Sequence, residues 1–162
     1  MEEKEFLKLV NKAKYQVFLF ASRVPHPLGF ALHVWIVVGK KGKIKRWECG
    51  VIRGKRKQGW GYVHIDILDK ATTGMNKYPY KAEPRYESKL IGKLEGGKGS
   101  IAEQMIKFIE KRAKEYPFRN EYKIYPGPNS NTFVQWILDH FPNSGLKLPW
   151  NAFGKDYREI KE

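Results

Sequence analysis

The run Tyr125-Pro126-Gly127-Pro128-Asn129-Ser130-Asn131-Thr132-Phe133 sets a hydroxyl between two carboxamides directly ahead of an apolar-periodic segment. A hydroxyl at a helix entrance becomes a nucleophile when a base takes its proton; without one it does no more than cap backbone N–H groups. Val134, Ile137, Leu138 and Phe141 recur at spacings of three and four, which predicts a helix with Asn129 or Ser130 as its N-cap. The base has to come from another part of the chain. His33 lies in Phe30 to Val38, which is followed by Gly39-Lys40-Lys41-Gly42 and by Ile44 to Ile52, the pattern of a β-hairpin. Centring the turn on Lys40-Lys41 sets His33 opposite Glu48 and Trp35 opposite Arg46. Directly opposed residues project from one face, so His33 with Glu48 reads either as a base with its orienting carboxylate or as an ordinary cross-strand polar pair. Cys49 points to the other face and reads as core, which leaves no thiol nucleophile.

These side chains need elements to hold them. Phe6, Leu9, Val10 and Ala13 predict a leading helix over Glu2 to Lys14, with acidic residues first and lysines later. Tyr15 to Ala21 reads as a buried strand ended by Pro25-His26-Pro27. Tyr62 to Leu68 alternates with period two, presenting His64 and Asp66 on its polar face. Asp69 to Gly99 carries no clear period beyond a short strand within Tyr86 to Leu94. Ser100, followed three residues later by Glu103, is a capping box that opens an amphipathic helix running to about Tyr116, where Pro117 stops it. Tyr122 to Tyr125 reads as extended. The fold class is therefore α+β, an antiparallel sheet with packed helices, as a single domain over residues 1–162.

Composition narrows the function classes. The chain has 162 residues, 41% hydrophobic and 14% aromatic, enough for one packed core and too apolar for disorder. Its 31 Lys and Arg against 17 Asp and Glu give a formal charge of +14, which predicts nonspecific attraction to polyanions. One cysteine excludes an internal disulfide and a multi-cysteine zinc site, and fits a reducing, cytoplasmic setting. Met1 to Lys8 has no signal-peptide apolar region, and no run is long enough for a membrane span. The four histidines are scattered, and neither a Walker loop nor a dinucleotide fingerprint is present, so no metal and no cofactor is expected.

A strand bearing His then Trp, a facing strand with a third polar residue, and a later Asn-nucleophile-x-x-Phe segment opening a helix together resemble circularly permuted papain-like proteins. Relatives of lecithin retinol acyltransferase and the PPPDE peptidases carry Asn-Cys-x-x-Phe in this place, and Ser130 stands at the cysteine position here. Pro126 to Phe133, with Leu148-Pro149 and Gly154-Lys155-Asp156-Tyr157, more closely resembles the signature of the domain-of-unknown-function 3750 family. His33-Val34-Trp35 and Arg46-Trp47-Glu48 are similar to that family's N-terminal half. The resemblance implies a permuted papain-like arrangement and implies that Ser130 is the family's usual residue. It brings no assigned activity.

The leading expectation is a serine-dependent hydrolase or acyltransferase acting on an amide or ester of a small molecule, peptide or lipid-like substrate. Ser130 would be the nucleophile, His33 the base and Glu48 its partner, with backbone N–H groups at the final helix stabilising the oxyanion. The alternative is a groove without turnover, in which Asn129, Asn131, Trp35 and Arg46 hold a ligand. A third class is polyanion (nucleic acid) binding through Lys55, Arg56, Lys57 and Trp60, where cations precede an aromatic residue.

Overall fold

A computed structural model describes residues 1–51 and 58–158. Six antiparallel strands form one sheet in the order β4-β5-β3-β2-β1-β6. They are β1 (Tyr15–Arg23), β2 (Leu32–Lys40), β3 (Lys43–Cys49), β4 (Gly59–Trp60), β5 (Val63–Ile65) and β6 (Lys89–Gly96). The helices are α1 (Glu3–Leu7), α2 (Ile101–Arg112) and α3 (Ser130–Asp139). None of the helices among the described residues is long and apolar enough to cross a membrane.

Strand alternation divides the interior into two layers. Val17, Leu19, Val34, Ile36, Trp47 and Cys49 face α2 and α3, where they meet Met105, Ile109, Phe133, Val134 and Ile137. Phe18, Phe20, Trp35 and Val37 face the other way, toward Phe6 of α1 and Ala71. Phe6 stands edge-on to Phe18 and Phe20, with ring centroids 5.0 and 5.1 Å apart. Burying such a ring contributes about 1.5–3 kcal/mol, which lets a five-residue helix hold its place. The segment after β5 closes this second layer: the Trp35 indole donates to Ala71 O at 2.9 Å, and Thr72 Oγ1 donates to Glu3 at 2.7 Å.

Several boundaries depart from the sequence pattern for local reasons. The leading helix ends at Leu7, because the Gln16 carboxamide takes over the following backbone, donating to Leu9 O and accepting from Asn11 N. The β2–β3 turn is Lys41-Gly42, both with positive φ (53° and 77°), not Lys40-Lys41. That two-residue loop is the geometry whose twist matches a hairpin. It shifts the expected pairing by two, so Arg46 lies opposite Val37 and not Trp35. A shift of two preserves which face each residue occupies, whereas a shift of one would have reversed it. β5 holds only three residues, and Asp66 leaves the strand at φ 48°. α2 begins as expected, with Ser100 accepting from Glu103 N, but tightens into a 3-10 turn over Ala113–Glu115.

Candidate functional site

Glu48 is the hub of a buried polar cluster on the Trp35 face. The hairpin shift removes His33 from direct opposition, yet the side chains meet on the diagonal: His33 Nε2 donates to Glu48 Oε2 at 2.9 Å. An ionised carboxylate only accepts, so the proton of this bond belongs to Nε2, and in the neutral ring Nδ1 is the acceptor. Arg46, two residues along the same strand, donates from Nη2 to Glu48 Oε2 at 3.0 Å and sets Nε 2.7 Å from Oε1. Its guanidinium carbon lies 4.1 Å from the centre of the Trp35 ring, and Nη1 donates to Thr73 O at 2.6 Å. Arg46 is 1% exposed, Glu48 6% and His33 4%. Burial on its own raises the Glu48 pKa, but Arg46 and the His33 hydrogen bond outweigh it and hold it at about 2. On the far side of Glu48 the paired residue of β5 is His64, which the sequence pattern placed on the polar face of its own strand.

Ser130 opens α3 on the opposite layer. Asn129 is the N-cap: its Oδ1 accepts from Asn131 N and Thr132 N, while Thr132 Oγ1 accepts from Asn129 N, a complete capping box. Two first-turn N–H groups expected to face an oxyanion are thus already satisfied within the cap. Asn129 also donates to Ile124 O and Phe153 O, and Thr132 donates to Gly154 O at 2.6 Å. Gly154 has φ 89°, and a Cβ there would stand 2.2 Å from Asn129 Nδ2, so glycine lets the C-terminal segment close over the cap.

Asn131 joins the two layers. β2 pairs with β3 only from Ile36 onward, which leaves Leu32 and Val34 without strand partners on that edge. The Asn131 side chain takes that place, accepting from Val34 N at 3.0 Å and donating to Leu32 O at 2.8 Å. The residue next to Ser130 is therefore bonded to both neighbours of His33. The Ser130 hydroxyl donates to Asn131 Oδ1 at 3.4 Å, a long bond, and among the described residues no hydrogen bond joins Ser130 to His33. Ser130 is 3% exposed.

Tyr122 is a neighbour that sequence reasoning missed, since one tyrosine among nine carries no local signal. Burial pushes its pKa well above the usual phenol range, although the adjacent Ser130 N–H and hydroxyl pull the other way. It stays protonated, a donor beside Ser130. Cys49 faces the helix layer as expected, and burial, followed by the Glu48 charge, raises its thiol to about 12. Trp35 is fully buried beneath Arg46, so both serve as internal packing in this state. Of the basic run, Lys55, Arg56 and Lys57 lie outside the described residues. Trp60 is half-buried and stacks on Trp47 at 6.4 Å.

Fold and site define an α+β protein in which a buried His–Glu–Arg cluster on one face of an antiparallel sheet is tied to a serine-headed helix on the other. The chain belongs to the protein family of unknown function DUF3750, whose model matches residues 14–157 and so includes both halves of the site. No curated protein and no solved structure matches the chain.

Proposed function

We propose that the chain is a serine-dependent hydrolase or acyltransferase acting on an amide or ester, in a permuted papain-like arrangement. The observation that carries this reading is the Asn131 clamp, which fixes the residue after Ser130 to the backbone on both sides of His33. Glu48 holds Nε2 and leaves Nδ1 to accept a proton, as a general base requires. Reaction requires Ser130 to leave its weak bond to Asn131 and to reach His33, whose side chain starts from the other face of the sheet. The Oγ proton passes to Nδ1 as Oγ bonds to the carbonyl carbon and the C=O electron pair moves onto oxygen. Collapse of that intermediate expels the amine or alcohol, which takes the proton from His33, and water or a second acceptor releases the acyl group. The Tyr122 hydroxyl, beside Ser130, is a donor for the transient oxyanion.

A second reading, a groove that binds without turnover, draws on the absence of a Ser130–His33 hydrogen bond and on how fully Asn129, Asn131 and Thr132 are engaged in holding the fold. A fluorophosphonate probe separates the two. The catalytic reading expects one adduct, mapped by peptide mass to Ser130, lost in Ser130→Ala and slowed about a hundredfold or more in His33→Ala. A wild-type protein that stays unlabelled at neutral and mildly alkaline pH, or one labelled away from Ser130, rejects it in favour of the binding reading.

A further inference from the structure

At the end of the sheet remote from the β2–β3 turn lies a cleft of about 540 Å³, within the size range of small-molecule sites. Register builds its floor: Arg23 pairs with Leu32 and Ala21 pairs with Lys89, which puts all four on one face. Ala21, Leu32 and Ile91 give an apolar base, and Tyr86 forms a wall. Arg23, Lys77 and Lys89 bring three cations to the lining against one carboxylate, Glu87, and that carboxylate is already bonded to the N-terminal ammonium at 2.8 Å. Lys77 stands over the Tyr86 ring, its Nζ 5.7 Å from the centroid. Among the described residues no carboxylate forms an ion pair with Arg23, which is exposed. The cleft continues past Leu32 into a second hollow of about 450 Å³ walled by His26, Pro27 and Phe30. Asn151 holds this rim, donating to Phe30 O at 2.9 Å and accepting from Leu32 N at 3.1 Å.

We propose that this cleft binds an amphipathic anion, a hydrocarbon or aromatic body bearing one carboxylate or phosphate, with the body on Ala21, Leu32 and Ile91 and the head between Arg23 and Lys89. An apolar floor beneath cations that outnumber the carboxylates favours such a molecule over both a bare ion, which gains nothing from the floor, and a neutral lipid, which leaves the excess positive charge unanswered. The site stands on its own lining and does not require Ser130 to turn over. The Leu32 carbonyl on this floor accepts from Asn131, the residue after Ser130.

The probes are dodecanoate and dodecyl phosphate below their micelle concentrations, with dodecanol and inorganic phosphate for comparison, titrated by calorimetry into the full chain. The expected result is saturable one-to-one binding of at least one dodecyl anion. Arg23→Gln/Lys89→Gln weakens it roughly tenfold or more, whereas Lys12→Gln/Lys43→Gln, which removes equal charge near the β2–β3 turn, leaves it unchanged. The stronger of the two anions identifies the head group. Equal binding of dodecanol, equal binding of inorganic phosphate, or equal loss in both double variants overturns the proposal, the last by showing only general attraction to a +14 surface. Binding of neither dodecyl anion also overturns it. Because the serine probe reads Ser130 covalently and calorimetry reads the cleft, each reading can fail alone.

Discussion

Replacing Glu48 with leucine tests the buried cluster most directly. Glu48→Leu removes the 2.7 and 3.0 Å contacts to Arg46 and the 2.9 Å contact to His33, leaving a guanidinium that is 1% exposed with carbonyl oxygens and the Trp35 ring as its remaining partners. Breaking a buried ion pair from one side costs about 3–5 kcal/mol, because the surviving charge stays desolvated. Arg46→Met alone should cost a similar amount, since it strands the Glu48 carboxylate. In Arg46→Met/Glu48→Leu no charge is left uncompensated, so the double variant should lose about as much as one single variant and far less than the two added together. Equilibrium unfolding in urea at neutral pH measures each term, with the m-value checking that the compact state is unchanged. Titration adds an independent arm. The Glu48 pKa is depressed from 4.5 to about 2, so its contribution is fully present above 4.5 and is lost as pH falls through 2. The wild-type protein should therefore lose stability across that window by an amount that Arg46→Met/Glu48→Leu does not show. A single-variant loss below about 1 kcal/mol, or a double-variant loss equal to the sum, would refute the coupling argued from these distances.

Two further outcomes follow from other parts of the fold. Gly154→Ala forces a Cβ into the Asn129 carboxamide at a residue with φ 89°, and should cost about 2 kcal/mol or more through strain and loss of the α3 cap; an unchanged melting temperature would remove the C-terminal segment from the site's support. Cys49, with its thiol raised to about 12, should be thiolate in about one molecule in ten thousand at pH 8 and react with a disulfide reagent only on unfolding; rapid stoichiometric reaction of the native protein would contradict its burial.

Local chemistry carried much of this protein in one dimension. The Ser100 cap, the polar cap that opens α3, the buried run from Tyr15 to Ala21 and the apolar face of α3 are patterns that neighbours a few residues apart enforce, and each is present, although the Glu103 carboxylate accepts from Gly99 N and so leaves the expected capping box half formed. Face assignment in the hairpin was equally legible, because alternation survives a two-residue error in the turn; His33, Arg46 and Glu48 share a side in either register. The register itself was not legible, since Gly39 and Gly42 both suit a turn and only the packed sheet chooses between them. Nor could periodicity reveal that the serine helix packs on the layer opposite His33, or that Asn131 bridges the gap beyond the end of β3. Tyr122 beside Ser130, and Arg23, Lys77 and Lys89 around one cleft, come from segments far apart in the chain, and no spacing rule links them. Sequence by itself determined the elements and their buried faces because those depend on contacts within a turn or a strand pair. Tertiary structure decided which side chains meet, because that depends on how strand ends, cap and loops fill the space the sheet leaves open.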